Sequence, residues 1–273
     1  MQDVVRNRLA RLGNRPTFEV THLNTAVSYQ PHPVMDPVWL PSKARTEDSE
    51  AIASLFALSW ASPFAQLQFG RVDPLVLTAA MSPRIAQQMA LANAEFIVIR
   101  YPDTQEVVSV AQWSLPSDEP NATEETQEER DERQAFEDEL YRSTLPENSN
   151  KDLIMEFTVG LRTIKHEVLR GRKHYALDNL ATHPDYRGRG FASRLVKWVF
   201  PRADADGAVV YLEAASDNPA IQMYQRLGFE ERGRHTIEDL DRYASRQELD
   251  EDGIEHTHVH VALVRYPQRN SGN

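Results

Sequence analysis

The feature that most constrains the fold is an alternation of strand-like and helix-like segments in the C-terminal third of the chain. Four short runs are predicted to be strands: YALDNLAT (175–182), AVVYLEA (208–214), FEERGRHTI (229–237) and HTHVHVALVRY (256–266). Helical patterns lie between them, at 190–200 and 219–227. Strands that alternate with helices predict an α/β sheet with crossover helices packed on its faces.

The first part of the chain predicts a similar mixture of elements. Apolar stripes indicate helices at 48–62, 82–92 and 151–169. Pro63 ends the first helix, and Ser82 followed by Pro83 is typical of the start of the second. Strands are predicted at 17–29, more clearly at 38–45, and in a hairpin of 95–100 with 106–115.

Composition narrows the class of protein. The 273 residues include no cysteine, which excludes disulfides, zinc–thiolate sites and a cysteine nucleophile. No apolar run approaches the roughly 20 residues that a membrane-spanning helix needs. The net charge of −11 argues against nucleic acid as a partner, because phosphates would repel the chain. We therefore expect a soluble protein that binds neither nucleic acid nor membrane.

Charge and pattern also divide the chain into segments. Residues 118–139 hold eleven acidic residues against two arginines, so we interpret 117–150 as a solvated acidic insertion, partly disordered or helical. It interrupts a main domain at 38–267, between an extension at 1–37 and a tail at 268–273. The first fifteen residues combine four arginines with helical apolar spacing. A mitochondrial presequence is therefore the alternative to the cytoplasmic location that we expect.

The segment HPDYRGRGFASRL (183–195) joins a predicted strand to a predicted helix through a glycine-rich turn. Such a turn leaves several backbone N–H groups pointing one way, and Arg187 and Arg189 favour phosphate oxygens. Gly188 and Gly190 permit positive φ and close approach of a ligand. The spacing matches neither a P-loop nor GxGxxG, so a tight turn with solvated arginines is the alternative.

A second segment, together with this turn, matches the sequence pattern of a known family. Arg187, Gly190 and Ala192 fit the pattern R/Q-x-x-G-x-G/A, and SDNPAIQMYQRLGFEE (216–231) fits a helix that ends in Y-x-x-x-G-F. Together they resemble the GNAT superfamily of N-acetyltransferases, over 175–233 and again in VALVRYP (261–267). DNLATHPDYRGRGFASRLVKW (178–198) looks most like a group common in fungi, with large insertions. The resemblance implies a mixed, mostly antiparallel central sheet of about seven strands with helices on both faces.

The resemblance also implies a donor site for acetyl-CoA, in a gap where the strand at 175–182 and the next strand diverge. The pyrophosphate would bind the N–H groups from Arg187 to Ala192, that is Arg187, Gly188, Arg189, Gly190, Phe191 and Ala192. The backbone of Leu180, Ala181 and Thr182 would pair with the pantetheine arm. The residue that matches Asn218 commonly contacts the cofactor in the family. The alternative is a structural role, because Asn218 followed by Pro219 is also typical of a helix N-cap.

For catalysis, the resemblance implies that Tyr224 protonates the departing thiolate; a packed core aromatic is the alternative. The base that takes the proton of the amine should be a carboxylate near the gap. We favour Glu213 slightly over Asp178, since Glu213 lies near the C-terminal end of its strand. Simple alternation would put Leu177, Asn179 and Ala181 on one face and Asp178 with Leu180 on the other. Many relatives use no single base.

Two other sets of residues have side chains that could serve a function. His256, His258 and His260 share one face of the last strand by alternation, and we expect a solvated face, not a metal site. Candidate walls for the acceptor site, with core packing as the default for each, are Trp60, Phe64, Trp113, Met155 and Phe157. The acidic insertion would act as a lid.

The sequence thus predicts an acetyl-CoA-dependent N-acetyltransferase that acts on a primary amine, preferably of a small molecule, as a monomer or homodimer. One alternative is a protein or peptide acetyltransferase for lysines or N-termini. The other is a noncatalytic acyl-CoA-binding or sensor protein that has the phosphate-binding turn but no turnover.

Overall fold

The structure, a computed structural model, describes residues 39–60, 62–116 and 126–268. Its centre is a seven-stranded sheet in the spatial order β1-β2-β3-β4-β5-β7-β6. The strands are β1 (Ser42–Lys43), β2 (Ala94–Arg100), β3 (Val107–Ser114), β4 (His174–Thr182), β5 (Val209–Ala215), β6 (Glu230–Ile237) and β7 (His258–Arg265). Only β4 and β5 run parallel, and every other neighbouring pair is antiparallel. The predicted mixed, mostly antiparallel sheet is confirmed.

Nine α-helices surround this sheet in the described part of the chain. They are α1 (Ser49–Ser59), α2 (Pro63–Phe69), α3 (Pro74–Met89), α4 (Gln127–Thr144), α5 (Lys151–Leu169), α6 (Phe191–Lys197), α7 (Phe200–Ala205), α8 (Ile221–Arg226) and α9 (Arg246–Glu251). None of them is long and apolar enough to cross a membrane.

The helices pack on both faces of the sheet. Leu212 of β5 packs in one core cluster with Leu195 of α6, whereas its neighbour Tyr211 packs with Ile164 of α5. Since successive strand residues point to opposite faces, α5 and α6 lie on opposite sides. We call these the α5 face and the α6 face. Helices α7 and α8 join α6 on its face, and α1 and α3 cover the β2–β3 part of the other.

Most predicted elements are present, but one helix begins earlier than expected. Helix α3 starts at Pro74, where the side chain of Asp73 accepts a hydrogen bond from the N–H of Leu75 at 2.7 Å. Pro83, expected in the first turn, lies inside the helix. Asp73–Pro74 and Ser82–Pro83 are both typical of a helix start, an N-cap residue followed by proline. The helix begins at the earlier pair, and in this form it packs against α1.

The acidic segment is helical where it is described. A capping box between Thr126 and Glu129 starts α4, whose surface is mostly exposed. Arg162 of α5 donates to both carboxylate oxygens of Asp138 at 2.7 Å and holds α4 against the domain. Residues 117–125 lie outside the described residues, as do the predicted extension at 1–37, with its strand at 17–29, and residues 269–273 of the tail.

Candidate active site

The two central parallel strands separate partway along their length. Pairing of β4 with β5 runs from His174 opposite Val209 to Leu177 opposite Leu212 and then stops, although β4 continues to Thr182. On its other side, β4 stays paired with β3 as far as Thr182. The β5-facing backbone of residues 180–182 therefore borders an open gap, as the resemblance implied.

A β-bulge in β4 lies at the start of this gap. Trp113 pairs with Leu177 and Gln112 with Asn179, so Asp178 has no opposite residue on β3. The bulge breaks the alternation along the strand. Leu177 and Leu180 both pack against the core of the α6 face, whereas Ala181 packs with α1. The prediction that Leu177, Asn179 and Ala181 share one face is therefore wrong.

The glycine-rich turn has the backbone geometry expected from its sequence. Gly188 and Gly190 have φ of 77° and 76°, and a Cβ at Gly188 would meet nothing within 4 Å. Among the described residues, no backbone carbonyl accepts a hydrogen bond from the N–H groups of residues 188–192. The N–H of Arg187 is the exception in the predicted set, because it donates to the carbonyl of Pro184 at 3.2 Å. Five consecutive donors thus remain for a ligand.

The arginines of the turn are exposed and contact the turn itself. The Nε of Arg187 donates to the carbonyl of Thr182 at 3.3 Å, which ties the turn to the end of β4. Arg189 lies over the ring of Tyr186, 5.2 Å from its centroid. Phe191 is buried in the core of the α6 face, while Ala192 is only partly buried. The turn is anchored at both ends, and its polar backbone faces outward.

Tyr224 lies on α8 and is buried in the same core cluster as Leu212, Ala214 and Phe191. Burial raises the pKa of its hydroxyl to about 12, so the phenol keeps its proton at neutral pH. Among the described residues its hydroxyl has no hydrogen-bond partner. A protonated, unpaired phenol beside β5 suits a proton donor.

Asn218 lies in the turn between β5 and α8. Its side-chain oxygen accepts a hydrogen bond from the N–H of Ala220 at 2.9 Å, while its own carbonyl accepts one from Ile221. The helix begins at Ile221, later than a cap at Asn218 predicts, because a turn at 219–220 comes first. Asn218 therefore shapes the approach to α8 and leaves its amide nitrogen exposed.

Both candidate bases are on the α5 face of the gap, and burial raises the pKa of each. The hydroxyl of Tyr211 donates to Glu213 Oε1 at 2.5 Å, which opposes that rise for Glu213. Ser114 donates to Asp178 Oδ2 at 2.6 Å. The side chain of Asp178 is still open to solvent, whereas that of Glu213 is partly buried. The structure brings the two carboxylates together across the divergence of β4 and β5.

Sequence reasoning missed two residues beside these carboxylates. Tyr211 precedes Glu213 by two residues on β5, so the rule that strand residues two apart share a face predicts their contact. Lys165 of α5 lies with its Nζ 5.7 Å from the centroid of the Tyr211 ring, and its charge acts on both Asp178 and Glu213. No local pattern signals Lys165, because the packing of α5 on the sheet brings it there.

The expectation of a solvated histidine face is wrong for His258 and His260. The ring of His258 stacks on Phe64 of α2 at 3.4 Å, and Phe157 of α5 meets His260 edge-on at 4.8 Å. His258 Nε2 lies 2.8 Å from His260 Nδ1. Only His256, which precedes the strand, bonds outward, to Asp241. In the described part of the chain, no three acidic or histidine side chains group as a metal site requires.

The predicted wall residues have different environments. Trp113 is fully buried in the core of the α6 face and is excluded as a wall. Trp60 is exposed and stacks with Phe69, beside a pocket of about 460 Å³ between α1, α2 and α3. Phe64 and Phe157 contact each other at the histidine pair, near the end of β5. Met155 is only partly buried on α5.

Comparisons with known proteins agree with this geometry. Residues 107–229 match the model of the Acetyltransferase (GNAT) family. No curated protein sequence matches the chain. Residues 107–229 therefore form a GNAT-family acetyltransferase domain, and the enzyme class that this domain indicates is an acyltransferase.

Several solved structures share the fold. An agmatine N-acetyltransferase mutant in its apo form aligns with a TM-score of 0.54 and 19% identity, over 83% of this chain and 98% of its own. The Drosophila melanogaster polyamine N-acetyltransferase, which forms N-acetylagmatine, aligns at 0.51 and 17%, over 83% and 99%. A Corynebacterium glutamicum structure described as histone acetyltransferase HPA2 and related acetyltransferase aligns at 0.50 and 20%, over 86% and 99%. At these identities the likeness supports the fold alone.

Proposed function

We propose that the protein transfers the acetyl group of acetyl-CoA directly to a primary amine of a small molecule, with donor and acceptor bound together. The observation that carries the proposal is the gap between β4 and β5, with the free N–H groups of residues 188–192 at one end and two carboxylates on its α5 face. The pyrophosphate of acetyl-CoA needs hydrogen-bond donors around it, and the ammonium of the acceptor needs a carboxylate that can take its proton.

On the donor side, the N–H groups of residues 188–192 would bind the pyrophosphate. Because a Cβ at Gly188 or Gly190 meets at most Ser193 Oγ, at 3.8 Å, a ligand can approach this backbone closely. The unpaired edge of Leu180, Ala181 and Thr182 would pair with the amide groups of the pantetheine arm, in the manner of an added strand. Asn218 would contribute its exposed amide at the far side of the gap.

On the acceptor side, Glu213 would take a proton from the ammonium, with Asp178 as the alternative base. The amine nitrogen then attacks the carbonyl carbon, the carbon–sulfur bond breaks, and the thiolate takes a proton from Tyr224. The second proton, which the nitrogen loses as it becomes the amide, returns the Tyr224 phenolate to its protonated form. Burial favours both assignments, since it raises the pKa of the carboxylates toward neutrality and keeps the phenol protonated. The face that holds the carboxylates is opposite the one that holds Tyr224, so amine and donor approach from different sides.

The preference for a small amine rests on two points. The relatives with the highest structural similarity reported above act, by name, on polyamine and agmatine. The acidic helix α4 and the carboxylates of the gap also favour a cationic acceptor. A lysine-rich peptide would satisfy the second point equally, so peptides belong in any panel of acceptors.

One assay separates the enzyme from a noncatalytic acyl-CoA-binding protein. We would measure CoA release from acetyl-CoA with polyamines, agmatine, arylamines, amino sugars and peptides. The proposal expects turnover with at least one small amine. Failure of the whole panel, together with stabilisation by acetyl-CoA in a thermal-shift assay, would instead support the binding protein.

The donor site has its own test in Gly190→Val. A β-branched residue at φ 76° is strained and adds bulk at the proposed pyrophosphate site. We expect loss of acetyl-CoA binding by calorimetry. Gly171→Val is the matched control, because Gly171 has φ of 73° and lies at the end of α5, away from the turn. Equal affinity in the two variants would argue against this donor site.

A further inference from the structure

Glu213 is held by its neighbours more tightly than a base at a strand end requires. Tyr211 and Glu213 point to the same face of β5, and the tyrosine hydroxyl donates to Glu213 Oε1 at 2.5 Å. The ring of Tyr211 is buried against Ile164 and Val264, so packing explains the ring. Packing does not explain the hydroxyl, whose one described partner is Glu213. A phenylalanine would fill the same space without that hydrogen bond.

Charged and titratable groups face Glu213 from each neighbouring element. Helix α5 contributes Lys165, and β4 contributes Asp178, on which His174 of the same strand acts in turn. On β7, His260 lies opposite Ala215, two residues beyond Glu213 and on the same face. Across β4, Ser114 of β3 adds a neutral hydroxyl that donates to Asp178.

These groups act on the Glu213 carboxylate in opposite directions. Loss of hydration on burial disfavours its charge most strongly, and the negative charge of Asp178 adds to that effect. The hydrogen bond from Tyr211 and the positive charge of Lys165 favour the ionised form. A base must be ionised before the ammonium arrives, yet basic enough to take its proton. The balance between burial and these two groups serves that requirement.

We propose that Tyr211 and Lys165 are positioning residues for proton transfer: Tyr211 fixes the rotamer of Glu213, and both keep its carboxylate available as a base. The inference rests on the proposed function, since it assumes that Glu213 receives the proton of the amine. Neither residue touches the thioester, and each acts through Glu213.

The test is the pH profile of kcat/KM for the best amine of the panel at saturating acetyl-CoA. In Tyr211→Phe the acid limb moves up by about one pH unit, the loss expected for one hydrogen bond to a charged group. Lys165→Met moves the limb in the same direction. Asp178→Asn moves it down, because a like charge disappears. In all three variants the KM for acetyl-CoA stays as in the wild type.

Tyr175→Phe is the matched control. Its hydroxyl donates to Asp206 at 2.7 Å, and its ring packs on the α6 face, so the limb should not move. If Tyr211→Phe and Lys165→Met also leave the limb in place while the wild type turns over, the positioning role is wrong and the proposed function stands. If Asp178→Asn removes the limb altogether, Asp178 is the base and the inference fails.

A second readout does not depend on turnover. The titration of the Glu213 carboxyl carbon, followed by carbon-13 NMR in wild type and Tyr211→Phe, should move upward in the variant by a similar amount. The same titration in both proteins would overturn the inference even if no amine in the panel is acetylated. Absence of turnover with an upward shift would instead contradict the proposed function, and with it the role in proton transfer, but not the action of Tyr211 on Glu213.

Discussion

Gly160 of α5 lies directly against the imidazole of His235 on β6: a Cβ at residue 160 would overlap two atoms of the ring. The Nε2 of His235 is buried there without a hydrogen-bond partner among the described residues. A glycine in the middle of a long helix is unfavourable by itself. Its position is explained by the close approach of α5 to the sheet, next to the histidine pair and the gap.

Gly160→Ala should therefore destabilise the protein although alanine is the better helix former. Overpacking of this kind costs typically 1–3 kcal/mol, against about 1 kcal/mol gained in helix propensity. Urea unfolding of Gly160→Ala and of Gly160→Ala with His235→Ala would measure the coupling. We expect the second substitution to restore stability. A single variant more stable than the wild type would show that α5 does not approach β6 this closely.

The buried histidines predict a loss of stability in mild acid. Burial lowers the pKa of His258 to about 4 and that of His260 to about 3, from an ordinary value near 6.5. Between pH 6.5 and pH 4 the two histidines bind protons in the unfolded chain but not in the folded protein. The free energy of unfolding therefore falls as the pH drops from about 6.5 toward 4. The charged or titratable groups that act on the pair are Asp217, on the loop after β5, and His235 on β6.

Replacing one titrating ring tests this assignment. In His260→Gln, the slope of unfolding free energy against pH should become shallower between pH 6.5 and 4. Arg84→Gln, an exposed substitution on α3, should leave the slope unchanged. Equal slopes in wild type and His260→Gln would mean that the pair is protonated in the folded protein.

The contact between α4 and α5 gives a prediction about the acidic helix. The double hydrogen bond of Arg162 to Asp138 is partly exposed to solvent, so Arg162→Met should cost at most about 1 kcal/mol of global stability. Amide hydrogen exchange in Gln127–Thr144 should nevertheless become faster, because the helix loses its bidentate anchor. Arg84→Met, an exposed substitution on α3, is the control. Unchanged exchange in Arg162→Met would assign the anchoring of α4 to other contacts.

Much of the C-terminal half could be predicted because its signals are local. The order of strands and helices after residue 174 and the positive φ of Gly188 and Gly190 follow from pattern and residue type. The bulge at Asp178 has no such signal, because it depends on how β3 and β4 align. This bulge breaks the alternation along β4, so Leu177 and Ala181 lie on different faces of the sheet instead of the same one.

The predictions of a solvated histidine face and of a start of α3 at Ser82 were wrong for a different physical reason. Alternation correctly put His258 and His260 on one face, but what covers that face, Phe64 and Phe157, comes from helices distant in sequence. At α3, two identical starting signals compete, and only packing chooses between them. Lys165 reaches Glu213 for the same reason, since the docking of α5 determines it. The fungal-type grouping, the cytoplasmic location and the site roles stay predictions.

The most direct test of the account is the steady-state release of CoA by wild type and by Tyr224→Phe, with the best amine and saturating acetyl-CoA. Loss of a proton donor to the departing thiolate should lower kcat about 100-fold or more, while the affinity for acetyl-CoA stays the same. Since the ring of Tyr224 is buried and its hydroxyl has no partner in the described structure, phenylalanine should leave the fold intact. Full activity in Tyr224→Phe would contradict the proposed mechanism.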